Sequence, residues 1–134
     1  LGALGSCMGI LAAATAATAA WANEGKAGKK PSFQYIIMIA APISQTLYSM
    51  IIMNSMLTKP LTPANTFLFL GVVLGCGLAE FLSAYYQGKI GVAGIRCLHE
   101  NGGQGFGLII IAPGVIGTVG IFGMVFGLAI LKAA

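Results

Sequence analysis

Charged side chains leave long gaps in this chain, and the gaps decide what it can fold into. Leu1 to Asn23 carries no Asp, Glu, Lys or Arg, and neither does Ser32 to Thr58. Pro60 to Gly88 carries one, Glu80, and Asn101 to Leu131 carries none. Each gap holds the roughly 20 apolar residues that cross a hydrocarbon core as a helix. Charged residues make up only 7% of the chain, against roughly a quarter in soluble domains. Too few charges remain to clothe a water-soluble surface, so lipid is the expected solvent. Backbone polar groups in lipid must satisfy one another, and no strand-period alternation points to a barrel. The spacing predicts an all-α membrane protein with four transmembrane helices near 1–24, 33–57, 66–98 and 106–131.

The remaining charges give an orientation. Lys26, Lys29 and Lys30 crowd the first break, Lys89 and Arg96 lie at the end of the third segment, and the middle break holds only Lys59. Basic loops stay cytoplasmic, which puts both hairpin loops inside and both termini outside. The net charge of +4 is therefore a topology signal. It is no nucleic-acid patch, since the charges are scattered and lack interleaved aromatics. Leu1–Asn23 could pass for a secretory leader, yet it has no basic start and is long for one.

Two motifs recur in order. Gly25-Lys26-Ala27-Gly28 closes the first segment and Gly88-Lys89-Ile90-Gly91 comes late in the third. Ala41-Pro42 sits in the second and Ala112-Pro113 in the fourth. A duplication is expected, with hairpins at 1–60 and 61–134. Odd helices are rich in Gly, Ala and Ser, which lets membrane helices approach closely. Larger residues favour the even helices, among them Phe33, Tyr35, Met38, Tyr48, Met50, Met53, Phe122, Met124 and Phe126. The expectation is an inner layer of small-residue helices and an outer layer facing lipid. Pro42 and Pro113 each remove a helical hydrogen bond and free a carbonyl, which kinks the helix and can serve an ion.

Few side chains carry chemistry. Cys7, Cys76 and Cys97 have no ligand spacing and read as packing residues; His99 and Glu100 read as a solvated turn. No catalytic constellation and no cofactor motif is present, so an enzyme acting alone is not expected. Glu80 stands out, because a carboxylate at mid-bilayer costs roughly 2.5–3.5 kcal/mol and marks a functional site by default. Glu24 takes the place of Gln87 in the Gly-Lys repeat, but with Lys26, Lys29 and Lys30 so near it reads as a cytoplasmic-edge residue.

Two further stretches resemble a known family. Pro42-Ile43-Ser44-Gln45-Thr46-Leu47-Tyr48 is similar to a Pro-x-Thr-Gln-x-Leu-Tyr motif on the second helix of the proteolipid rotor subunit, called K or c, of V/A-type rotary ATPases. Gln87-Gly88-Lys89, followed by Ala93-Gly94-Ile95, is similar to that family's Gln-Gly-Lys motif on the third helix. The resemblance covers nearly the whole chain. It implies a homo-oligomeric ring turning against a stator subunit with a cationic residue, with central-stalk subunits at the cytoplasmic loops and lipid outside. It implies a bacterial or archaeal cell membrane, or the membrane of a eukaryotic acidic organelle. It implies transport of protons or sodium, with no other cofactor. In sodium-carrying members a Thr, two Gln and a fourth-helix carboxylate hold the ion. These fall on Ser44, Gln45 and Gln87, with a carbonyl near Ala41, and with Gly117 or Ile116 where the carboxylate belongs.

The fourth helix thus departs from the pattern, and Glu80 is the only midplane carboxylate. The expectation is a carboxylate moved to the third helix, with Gly117 leaving it room. If sodium is the ion, its ligands are Glu80, Ser44, Gln45 and Gln87. Glu80 and Gln87 lie ~10 Å apart along one helix, so Tyr48, Thr46 or Ser83 is expected to bond the protonated carboxyl. Two other readings stay open: a structural ring member that carries no ion, and an independent small transporter. The topology has a direct check. With the native cysteines replaced, Lys29→Cys and Gln104→Cys should react with an impermeant maleimide in inside-out vesicles only, and Lys59→Cys in right-side-out vesicles only.

Overall fold

Four helices form, at the places where the charges are missing. The computed structural model describes residues 1–133, and every long element among them is helical: α1 (Gly2–Lys26), α2 (Gln34–Leu57), α3 (Thr66–Glu100) and α4 (Phe106–Ala133). All four are long and apolar enough to cross a membrane. The boundaries agree with the charge gaps to within about two residues, the ordinary uncertainty of helix ends. Prolines interrupt the even helices, as a missing N–H requires. In α2 the run Ala41–Ile43 tightens to a 3-10 turn around Pro42, and α4 breaks at Ile110, ahead of Pro113.

The C-terminal ends of the two odd helices stop in the same way. Gly28 and Gly102 adopt positive φ, 67° and 62°. Lys29 N–H then bonds Glu24 O at 2.9 Å, and Gly103 N–H bonds Leu98 O at 2.7 Å. These are glycine-terminated Schellman ends. They also show that the two Gly-Lys motifs do not occupy matching places. Gly25–Lys26 closes α1, whereas Gly88–Lys89 lies well inside α3, packed against Gly9 near the start of α1. Glu24 is therefore matched in place with Leu98 rather than with Gln87. Lys89 does not end the third helix; it lies exposed along α3, its ammonium 5.4 Å from the Tyr85 ring centroid.

α1 and α3 touch backbone to backbone. A Cβ on Gly88 would stand 2.2 Å from Gly9 Cα, one on Gly9 would stand 2.4 Å from Ala84 O, and one on Gly5 would stand 2.5 Å from Phe81 O. Small residues at these positions permit a contact that dispersion alone can hold. Around it the interior has three layers. Toward the C-terminal ends of α1 and α3, Ala13, Ala17 and Ala20 of α1 pack with Ile95 and Leu98 of α3. Toward the opposite end Ile52, Phe69, Val72, Cys76 and Leu131 form a second apolar cluster. Between them lies a buried polar layer of Ser6, Gln45, Glu80, Ser83 and Gln87.

Two large residues depart from the expected outer layer. Tyr35 and Met38 of α2 are fully buried, because the alanines of α1 leave space for them. Phe33, Met50, Met53, Phe122 and Phe126 are exposed, as expected of a lipid-facing surface. Cys76 packs inside, whereas Cys7 is exposed and Cys97 half-buried; all three are free. The close crossing makes a prediction. Gly88→Ala must push α1 away from α3, because the methyl group meets backbone that cannot yield. A loss of about 1–3 kcal/mol, read from thermal unfolding in detergent, is expected, while Gly71→Ala, which meets nothing within 4 Å, should be neutral.

Candidate ion site

The polar layer is built by three helices. Counted along α2 (Gln34–Leu57) and α4 (Phe106–Ala133), Gln45 and Gly120 lie near mid-length. Glu80 of α3 faces both. Its Oε2 lies 2.7 Å from the point where a Cβ on Gly120 would stand, and Gln45 Nε2 lies 3.2 Å from the same point. Its Oε1 lies 3.5 Å from the corresponding point on Gly123. The residue is wholly buried, and neither carboxyl oxygen has a hydrogen-bond partner. An unpaired buried polar group costs stability, so this carboxyl is kept despite its cost.

The glycines of α4 make the room. Gly117, Gly120 and Gly123 lie along its buried face, spaced so that they share one side of the helix. Gly117, expected to make room for Glu80, instead accommodates Gln87, whose Nε2 lies 2.9 Å from its Cβ position. Gly120 and Gly123 are the residues that admit the carboxyl. Sequence reading had a signal for them in the repeated Gly-x-x-Gly spacing, but nothing in it fixed the rotation of α4.

The other polar groups form three small hydrogen-bonded sets. Gln45 Nε2 donates to Ser83 Oγ at 3.0 Å, and Ser83 donates to Ile116 O at 2.9 Å. Ser44 Oγ lies 3.0 Å from Gln45 Oε1 and 3.2 Å from Ala41 O. Gln87 Nε2 donates to Pro113 O at 2.9 Å. Ser6 donates to Pro42 O, and Thr46 donates to Ser6 at 2.9 Å. The carbonyls of both prolines are thus occupied by side chains. Gln45 shares the space over Gly120 with Glu80 and is tied to Ser44 and Ser83, while Gln87 lies farther along α3 over Gly117; Thr46 turns to α1 instead, and no hydrogen bond joins Tyr48 or Ser83 to Glu80 among the described residues.

Glu24 and His99 meet where α1 and α3 end. Glu24 accepts from Tyr35 Oη at 2.5 Å and from Ser32 N–H at 2.9 Å, with His99 Nδ1 at 3.6 Å. His99 belongs to the last turn of α3 and is half-buried, so it is not the solvated loop residue expected from its neighbours. The carboxylate is tied to the start of α2 and the end of α3, and the only ion pair found for it among the described residues is with His99 rather than with the nearby lysines.

Comparison with known proteins bears on the helices that hold this layer. Residues 70–130 match the family model of the ATP synthase C subunit. The stretch is similar to that family over somewhat less than half of the chain. It runs from within α3 through most of α4 and includes Glu80, Gln87 and the glycine face. No curated protein and no solved structure matches the chain. Members of this family are non-catalytic proteolipids that form oligomeric rings beside the a subunit. With four candidate spans, the chain is an integral membrane protein.

The geometry of α4 is open to test. Gly120→Ala places a methyl group on Glu80 Oε2 and Gln45 Cγ, and should lower stability by about 1–3 kcal/mol in detergent thermal unfolding. Gly114→Ala meets nothing within 4 Å and should leave the transition where it is.

Proposed function

We propose that this chain is a membrane rotor-ring subunit of a V/A-type ATPase, carrying protons or sodium ions across the membrane on Glu80. One observation carries this reading: a buried carboxyl with no hydrogen-bond partner, near the middle of α2 and α4, in a stretch that matches the C-subunit family model. A structural carboxyl would be expected to repay its burial through hydrogen bonds. A carrier must instead leave its oxygens for the ion. The fourth helix holds no carboxylate, so in this reading the carrier has moved from α4 to α3, and α4 contributes the space.

Ser44, Gln45 and Gln87 line the layer beside it, with Thr46 and Tyr48 farther along α2. Copies of the chain form a ring, lipid covers the exposed apolar residues, and central-stalk subunits dock at the two cytoplasmic loops. A cationic residue on the stator stabilises the ionised carboxylate and so favours release of the ion. ATP turnover elsewhere drives the rotation, and this chain takes part in no covalent step. The membrane is that of a bacterial or archaeal cell or of a eukaryotic acidic organelle.

The lack of a fourth-helix carboxylate also favours a second reading, in which the chain is a structural ring member and Glu80 carries nothing. Replacement separates the two. In an ATPase assembled with Glu80→Gln, ion-coupled ATP hydrolysis should fall by about 100-fold or more, the scale on which a lost essential group acts. Full coupled activity in that assembly would establish the structural reading.

A further inference from the structure

Which ion Glu80 takes depends on the atoms around its carboxyl. A hard cation is held by several oxygens converging on one centre. Oε2 shares the space over Gly120 with a carbon and the amide nitrogen of Gln45. Oε1 faces Gly123, the Ala79 methyl and the Cys76 carbonyl. That carbonyl stands four residues before Glu80 on α3, where it accepts a helical hydrogen bond.

The oxygens that could have formed a cage are engaged elsewhere. Ser83 gives its hydroxyl hydrogen to Ile116 O, so its oxygen accepts from Gln45. This fixes the Gln45 amide with nitrogen toward Ser83 and oxygen toward Ser44. Gln87 is fixed in the same way, since only its nitrogen can donate to Pro113 O. Gln87 Oε1 is buried and unpartnered, but it belongs to a residue ~10 Å along α3 from Glu80.

Resting on the reading of Glu80 as carrier, we infer that the ion is a proton, and that Gln45 and Gln87 are clasps between helices rather than sodium ligands. Loading then forms one O–H bond on a carboxylate oxygen, and unloading breaks it. Neither step needs a cage of oxygens. The selecting residues are Ser83 and Pro113, whose partners turn the two amides nitrogen-first toward α3 and α4.

The test uses the intact ATPase in its native membrane vesicles. Dicyclohexylcarbodiimide reacts with a protonated carboxyl, and mass spectrometry reads its adduct on Glu80. The labelling rate should fall with rising pH, about tenfold per unit once most of the carboxyl is ionised. The curve should be the same in sodium chloride as in potassium chloride at equal ionic strength, and ATP should acidify the vesicle lumen in sodium-free buffer. Slower labelling in sodium than in potassium would overturn the proton assignment and leave Glu80 as the carrier. Wild-type pumping by the Glu80→Gln assembly would remove the carrier reading, and the proton assignment with it.

Discussion

Helices in lipid have no water to drive them together, so this structure depends on how closely two backbones can approach. The approach occurs where Gly5 and Gly9 of α1 meet Phe81, Ala84 and Gly88 of α3. A Cβ at any of the three glycines would lie under 3.0 Å from the opposing chain. Such a contact gains dispersion energy from many atom pairs, each worth about 0.1–0.2 kcal/mol. It also sets the height of α1 against α3. Ser6 is thereby placed next to Pro42 and Thr46, and the buried alanines of α1 opposite Tyr35 and Met38.

The polar layer follows from that placement. Apolar clusters above and below it exclude water, so its hydrogen bonds are made inside the chain. Side chains of α1 and α3 satisfy carbonyls at or near the two helix interruptions, which joins helices that lipid would otherwise leave loosely associated. Glu80 is the exception. Gln45, the polar side chain that shares the space over Gly120 with it, is already bonded to Ser83, and the carboxyl oxygens face glycine.

The four helices were legible in the sequence because charge in lipid is so costly that its absence marks each span. Glu80 was legible for the same reason. The close contact of the two odd helices was legible in their glycine and alanine content. Rotation and relative height were not. Gly117 and Gly120 are both small residues on the same face of one helix, and only the packed α4 shows which of them meets Glu80. The Gly-Lys repeat misled on height, because Lys89 fits along the side of a 35-residue helix as easily as at its end. His99 looked solvated because its neighbours in sequence are polar, whereas its partner Glu24 lies on another helix.

The glycine face of α4 has a kinetic consequence. Glu80 is enclosed by helices of its own chain and presents no open surface. Access requires α4 to swing or turn, and collective helix motions of this kind take microseconds to milliseconds. Glycines along the contact carry no side chains to interlock with the carboxyl, so what such a motion must undo is chiefly the Ser83–Ile116 and Gln87–Pro113 hydrogen bonds. In such an arrangement the exchange rate is set by the stiffness of one helix, and substitutions that stiffen α4 would change the speed of turnover without touching the carboxyl.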